Sequence, residues 1–336
     1  MKRKRLTQIV DNFRDMKIAV VGDLMLDVYI WGKASRISPE APVPIVQVKK
    51  QNSCLGGAAN VMRNVVTLGG RVNAYGVIGD DSAGREIKEL FRDYDIDPAT
   101  LSVDGTRRTT KKQRIIASAQ QLLRVDFEDT EKIDDIIRAE IIDKVKKLID
   151  NRAVDAIIFE DYGKGVLNEK MLEQIIASAN KNNIITSLDP NPGHQLKVKG
   201  LSVMKPNRSE AFALTGTFPQ ENGMPVEADT QLHAVAARLL EEWEPEYLII
   251  SLAAQGMALF RKDEKMVVIP TKAREVYDVS GAGDTVIAAF TLALCAGADP
   301  VEAAEIANHA AGIVVGKVGT VTVSKDELLE SFNREI

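Results

Sequence analysis

Short apolar runs alternate with stretches of helical apolar spacing through most of the chain. Lys17–Gly22 is nearly continuous in apolar residues and predicts a first strand buried on both faces. Ala58–Leu68 has the spacing of a helix, Val72–Ile78 reads as a strand and Ser82–Tyr94 as a helix. Farther on come the pairs Val154–Phe159 with Glu169–Lys181 and Ile184–Leu188 with Arg208–Leu214, and the helix Thr230–Trp243 followed by the strand Tyr247–Leu252. Val286–Ala296, Val301–Val315 and Ser324–Phe332 predict three closing helices. This order predicts an α/β fold with a mostly parallel central sheet flanked by helices on both faces. In such sheets, sites collect at the carboxyl ends of the strands.

Two segments break the rhythm. Val28–Val48 and Thr109–Asp126 alternate in the β manner with no helix between. They read either as ordinary surface hairpins or as a small separate β-sheet, a lid over roughly residues 28–50 and 107–127. With no repeat and no clear linker, the expectation is one domain over residues 1–336 carrying that lid.

Composition narrows the classes. The chain has 336 residues, 45% hydrophobic and 27% charged, which suits an ordinary globular core. A net charge of -5 gives no pull toward nucleic acid or an acidic membrane, and no run is long and apolar enough to span a bilayer. The basic start Lys2-Arg3-Lys4-Arg5 lacks the apolar core of a signal peptide and reads as a solvated tail. Cys54 and Cys295, with three scattered histidines, form neither a disulfide framework nor a zinc pattern. The expected location is the cytoplasm.

Chemistry concentrates in Asp278-Val279-Ser280-Gly281-Ala282-Gly283-Asp284-Thr285, a small-residue turn directly before an apolar helix. A helix start offers unpaired N–H groups and partial positive charge, and glycine lets the backbone approach an anion closely. Asp284 beside that cradle can take a proton from an attacking hydroxyl, so the run suits phosphoryl transfer to an alcohol. A lone G-A-G-D reads better as an ordinary capped helix start; the full run is more specific. Asp27, just past the first strand, could accept hydrogen bonds from two sugar hydroxyls or be a turn acid; Asp23 is a second contact or a turn residue. Gly56-Gly57-Ala58-Ala59-Asn60 allows close ligand approach and adds a donor and acceptor. Glu160-Asp161-Tyr162-Gly163-Lys164 could organise a divalent metal and meet a phosphate, or be a plain turn. Asn207 and Glu210 have the spacing of a capping box. Neither a G-x-x-x-x-G-K-[ST] loop nor a complete Rossmann fingerprint occurs, which weighs against a dehydrogenase.

The run Asp278–Thr285 resembles the D-x-x-G-A-G-D signature of the ribokinase-like (PfkB) carbohydrate kinases. The resemblance implies a ribokinase-like fold, with ATP and Mg²⁺ at the site. It makes Asp284 the catalytic base and the backbone of Gly281, Ala282 and Gly283 the anion cradle. It places Asp27, Gly56, Gly57 and Asn60 on the sugar. Asn207 and Glu210 match the family's N-x-x-E motif, with Glu210 reaching Mg²⁺ through water. Ser251, Gly256 and Asn308 become ATP-site residues, and Gly316–Thr320 borders the adenine. Many family members have glycine where Ala253 stands.

Ser35-Arg36-Ile37-Ser38-Pro39-Glu40-Ala41-Pro42-Val43-Pro44-Ile45-Val46 resembles the lid of the D-glycero-β-D-manno-heptose-7-phosphate kinases, as do Gln120–Asp126 and Ala310–Lys317. This implies phosphorylation of the anomeric hydroxyl of the heptose 7-phosphate to the 1,7-bisphosphate. The alternatives are a kinase for another sugar, of fructose or ribose type, or a silent sugar-phosphate sensor. An acceptor that already carries phosphate calls for cations. The candidates are Arg36, Lys111, Lys112, Arg114 and Arg124, with Lys112 and Arg36 preferred. Expected partners are the sugar phosphate, ATP and a second copy joined through the lid, with neither nucleic acid nor membrane. Bifunctional relatives carry a nucleotidyltransferase with an H-x-G-H-type motif; the only histidines here are His194, His233 and His309, so adenylyl transfer is expected to reside elsewhere.

Overall fold

The computed structural model describes residues 3–117, 120–219, 224–273 and 276–335. The chain begins with a helix, α1 (Arg3–Asn12), which buries Leu6, Ile9 and Val10 against the core. The expectation of a solvated tail is therefore corrected from Arg3 onward: apolar residues at helical spacing outweigh the basic run, and Arg5 is tied to Glu302 at 3.2 Å. Lys2 lies outside the described residues.

Then follow β1 (Lys17–Gly22), β2 (Leu24–Ile37), β3 (Pro44–Gly57), α2 (Ala58–Thr67), β4 (Arg71–Tyr75), β5 (Val77–Ile78) and α3 (Ser82–Asp93). Next are β6 (Ser102–Val103), β7 (Thr110–Ala117), β8 (Gln120–Phe127), α4 (Asp135–Asp150), β9 (Ala156–Glu160), α5 (Glu169–Lys181), β10 (Ile185–Asp189) and β11 (Val203–Met204). The chain ends through α6 (Arg208–Leu214), α7 (Thr230–Glu242), β12 (Tyr247–Ser251), β13 (Met257–Phe260), β14 (Val267–Ile269), α8 (Ala282–Cys295), α9 (Pro300–Val315) and α10 (Lys325–Ser331).

Eight strands form the main sheet in the order β14-β13-β12-β11-β10-β9-β1-β4. From β4 to β12 the pairs are parallel; β13 and β14 add an antiparallel edge. Alternate residues of a strand face opposite sides. Ile18 and Val20 of β1 accordingly pack with α1, α2, α8 and α9, while Ala19 and Val21 pack with α4 and α5. A third cluster joins Leu248 and Ile250 to α6 and α7.

A second sheet, in the order β3-β2-β7-β8, has antiparallel outer pairs and a parallel central pair. Its strands run past the expected limits: β2 starts at Leu24 and β3 ends at Gly57, so Asp27 and Gly56 lie within strands. Residues 118 and 119, inside the expected Thr109–Asp126 segment, lie outside the described residues. Val72–Ile78 is also not one strand. It breaks at Gly76, where a Cβ would meet Leu24 Cγ at 2.6 Å, and Val77–Ile78 leaves the main sheet to pair with β6. No helix of the described residues is long and apolar enough to cross a membrane.

Candidate active site

The parallel register of the sheet builds one wall of the site. Gly22, Glu160 and Asp189, the last residues of β1, β9 and β10, stand level with one another. Gly22 must lack a side chain, because a Cβ would fall 2.3 Å from the Glu160 carbonyl oxygen. The first turn of α8 meets the same edge and presents Asp284. One carboxylate oxygen from each of Glu160, Asp189 and Asp284 lies within 4.8 Å of the others, and all three are buried. Lys205, after β11, pairs with Asp189 at 2.7 Å. A Cβ on Gly283 would stand 3.1 Å from the Lys205 ammonium, which places that charge against the start of α8.

Burial drives the electrostatics of this acidic cluster. It pushes Glu160 well above the usual carboxylate range, and Asp189 and Asp284 add to the effect. Oε2 of Glu160 is buried and has no hydrogen-bond partner. Asp189 is pushed up to about 7 by burial, against the pull of Lys205. Burial works against the Lys205 charge, but Asp189, Glu210 and Glu160 outweigh it and push its pKa up. Asp284 is raised by burial more than its hydrogen bonds from Asn60 and Tyr162 lower it. Desolvation prevails over these donors and holds the Asp284 carboxyl above the usual aspartate range.

Hard oxygen donors in a buried ring suit Mg²⁺. Glu160, Asp189 and Asp284, with the unpartnered Glu160 oxygen among them, fit such an ion. Glu210 stands at the rim of this ring, close enough to raise both Glu160 and Asp189. Its Oε2 accepts the Asn207 N–H at 2.7 Å while Asn207 Oδ1 accepts the Glu210 N–H at 2.9 Å, so the pair closes the capping box of α6.

The cradle before α8 turns on Gly281, in the left-handed region at φ 78°. A Cβ there would also meet Asn60 Nδ2 at 2.7 Å. Ala282 donates its N–H to the Val279 carbonyl at 3.2 Å, which removes it from the set of open amides. The amides of Gly283 and Asp284 have no protein acceptor among the described residues. Asp278 shapes the turn by accepting the N–H groups of Ser280 at 2.9 Å and Gly319 at 3.0 Å.

The wall toward the second sheet holds Asp27, which is buried and paired with Arg114 at 2.5 Å. The Arg114 guanidinium lies over the Tyr29 ring, and the Tyr29 hydroxyl bonds Thr320 Oγ1 at 2.8 Å. Gly56 leaves room for this aspartate, since a Cβ would fall 2.5 Å from Asp27 Oδ2. Gly57 takes φ 55° and lies beside the Asp23 carbonyl. Asn60 donates to Asp284 Oδ2 at 2.6 Å, and its own Oδ1 accepts from Arg63 at 2.7 Å. Asp23 proves to be a turn residue. Its carboxylate accepts the N–H groups of Tyr162, Lys164 and Val166 at 2.9, 3.0 and 3.3 Å. Lys112 stands level with Asp27 in the β2–β7 register. Arg36 does not join them: it is exposed near the far end of β2, nine residues and about 30 Å along the strand from Asp27.

Beyond the acidic ring, Asn207 and Ser251 meet as a parallel bridge. Gly256 turns the chain at φ 90°, where a Cβ would fall 2.1 Å from the Ile269 carbonyl oxygen. Asn308 donates to the Pro270 carbonyl at 2.6 Å and so holds the segment after β14. Ala253 occupies the left-handed region at φ 50°. Asp189, Lys205 and Arg63 are not among the candidate residues read from the sequence, and Tyr162 enters there only as part of the Glu160–Lys164 run. The strand-end positions of Asp189 and Lys205 were the available signal for those two.

A large parallel sheet with an acid cluster at its carboxyl edge and a second sheet beside it defines the ribokinase-like class of α/β protein. The structure matches Arabidopsis thaliana ribokinase complexed with ribose and ATP at TM-score 0.72 and 20% identity, covering 94% of this chain and 98% of that one. It matches Escherichia coli phosphofructokinase-2 in complex with potassium at TM-score 0.74 and 17% identity, covering 95% and 98%. Residues 15–327 match the model of the pfkB family carbohydrate kinases, and the chain belongs to that family. The bifunctional protein HldE of Aliarcobacter butzleri is 44% identical over 313 residues, 93% of this chain and 63% of the relative. HldE of Geobacter sulfurreducens is 40% identical over 332 residues, 99% and 66%. The chain thus spans just under two thirds of the length of these curated relatives.

Proposed function

We propose that the chain transfers the terminal phosphoryl group of ATP to the anomeric hydroxyl of D-glycero-D-manno-heptose 7-phosphate, giving the 1,7-bisphosphate and ADP. The observation that carries this reading is the Asp284 carboxylate, buried beside the open amides of Gly283 and Asp284 and hydrogen-bonded at 2.6 Å to Asn60 of the sugar-side helix. The long lid resemblance, Ser35–Pro44, chooses the heptose phosphate over other sugars.

In this mechanism Asp27, Gly56, Gly57 and Asn60 hold the sugar, and Lys112 meets its phosphate. Asp284 accepts the proton of the anomeric hydroxyl as the new P–O bond forms. The N–H groups of Gly283 and Asp284, with the Lys205 ammonium beside them, stabilise charge on the transferring group. Glu160 and Asp189, with Glu210 at the rim, would hold Mg²⁺, which would supply charge neutralisation at the phosphates. Asn207, Ser251, Gly256 and Asn308 frame the nucleotide. Exposed Val276, Tyr277, Val279 and Val318 offer apolar surface for its base.

The second sheet acts as a lid that excludes water from the reacting group. The reading includes a homodimer formed through this sheet, whose outer strand β8 exposes Leu122, Leu123 and Phe127. Arg36 would then lie in the dimer interface. The enzyme would work in the cytoplasm. An ADP-release assay on the heptose 7-phosphate beside fructose, ribose and their phosphates tests the assignment. Strongest turnover on the heptose phosphate is expected, and preference for any other acceptor removes it.

A further inference from the structure

Tyr162 touches both ends of the acceptor site. Its hydroxyl donates to Asp284 Oδ1 at 2.9 Å. Its ring lies under the Lys112 ammonium, with Nζ 5.3 Å from the centroid. Its backbone N–H is fixed on Asp23 Oδ2 at 2.9 Å, directly after β1, so the core sets where the ring stands.

Lys112 is the other half of the argument. It stands between Asp27 and Asp126 in the registers of the second sheet, which puts the three side chains on one face. Among the described residues no carboxylate lies within ion-pair distance of it. Burial works against its charge; Asp27 and Asp126 support that charge from a distance, while Lys164 and Arg124 oppose it. Both are already engaged, Lys164 with Glu128 at 2.8 Å and Arg124 with Asp126 at 2.9 Å. A half-buried ammonium on an aromatic face, with no carboxylate at ion-pair distance, favours an anionic ligand.

We propose that Tyr162 is a positioning residue serving both ends of a phosphorylated acceptor: its ring seats Lys112 for the anionic end, and its hydroxyl fixes Asp284 for the reacting hydroxyl. With Oδ1 held by Tyr162 and Oδ2 by Asn60, the Asp284 carboxylate cannot rotate away from the acceptor. This rests on the reading of the substrate as a sugar phosphate.

The test compares Tyr162→Phe, Tyr162→Leu and Lys112→Met by steady-state kinetics and by calorimetric binding of the phosphorylated acceptor. Tyr162→Phe keeps the ring and loses the hydroxyl, so kcat falls roughly tenfold while acceptor KM and Kd stay within about twofold. Tyr162→Leu loses both contacts, so the same fall in kcat comes with a rise in KM and Kd of roughly tenfold. Lys112→Met raises KM and Kd by roughly tenfold and moves kcat less. Wild-type kcat in Tyr162→Phe overturns the proposal, and so does equal KM in the Phe and Leu variants. Should Tyr162→Leu not fold, the contrast between Tyr162→Phe and Lys112→Met still decides. If the wild-type enzyme prefers a different sugar phosphate, the heptose assignment falls while the split among variants still holds. If it prefers an unphosphorylated sugar, the Tyr162 proposal falls too.

Discussion

Asn60 Nδ2 donates to Asp284 Oδ2 at 2.6 Å, joining residues 224 positions apart in the chain. Arg63 fixes the direction of this bond. Its Nη2 donates to Asn60 Oδ1 at 2.7 Å and to the Thr320 carbonyl at 3.0 Å, so the amide nitrogen of Asn60 must face Asp284. The first turns of α2 and α8 are thereby held as one unit across the acceptor site.

Asp284→Asn should lower kcat by roughly 10²–10⁴-fold, the usual contribution of a general base. Calorimetric affinities for sugar phosphate and for ATP should stay within a few-fold of wild type. Normal turnover in this variant would remove Asp284 from the role of base.

Arg114→Met leaves the Asp27 carboxylate buried without its partner, and breaking a buried pair of this kind costs about 3–5 kcal/mol. Thermal unfolding should show the loss. The double variant Asp27→Asn with Arg114→Met should recover much of the stability while still binding sugar poorly. A double variant no more stable than Arg114→Met would mean the pair is not what holds this face.

The cradle glycines should separate into two classes. Gly281→Ala forces an L side chain to φ 78° and into Asn60, so stability falls by about 1–2 kcal/mol and kcat falls with it. Gly283→Ala keeps helical backbone and meets only the Lys205 ammonium, at 3.1 Å, so unfolding should change less than in Gly281→Ala while turnover drops. Equal losses of stability in the two variants would contradict the geometry.

Ala253→Gly should stabilise the protein by about 0.5 kcal/mol. Relief of left-handed strain at φ 50° exceeds the extra unfolded-state entropy of glycine. Chemical denaturation, read as the shift in midpoint at constant slope, checks the sign.

Stability without metal should increase as pH falls from about 8 toward 5. Asp189 and Asp161 titrate at about 7 and about 6 in the folded protein, both pushed up first by burial, and near 3.8 unfolded. The folded state therefore binds more protons across this window, and its stability is lost as pH rises through the folded values. In chelator the melting temperature should rise by a few degrees on acidification. Asp189→Asn should flatten the slope, and added Mg²⁺ should stabilise more at pH 8 than at pH 6. A melting temperature that climbs with pH would refute this account.

How legible the site was in the sequence depended on distance along the chain. Asp278–Thr285 could be read because the glycine turn, the helix start and the aspartate are contiguous. Gly56–Asn60 and the Asn207–Glu210 cap are local in the same way. Tyr162 lay in a quoted motif, but its role depends on a bond to a residue 122 positions away. Arg114 stood among five lid cations; only the pairing of β2 with β7 separates it from Arg36. Among the elements, the core strands were evident from apolar runs. β13 and β14 are short and antiparallel and break the strand–helix rhythm. The N-terminal helix was hidden by four adjacent basic residues, although Leu6, Ile9 and Val10 carry its apolar face.

Asp23 alone separates β1 from β2, and its carboxylate binds the loop after β9 through three backbone amides. The strand that carries Asp27 is thus a direct outgrowth of the central sheet, with no flexible tether at its root. An exchange of acceptor preference between two such enzymes cannot be made by cutting at that root. The graft would have to bring the aspartate and the loop it grips, or the transplanted strands would arrive without their foundation.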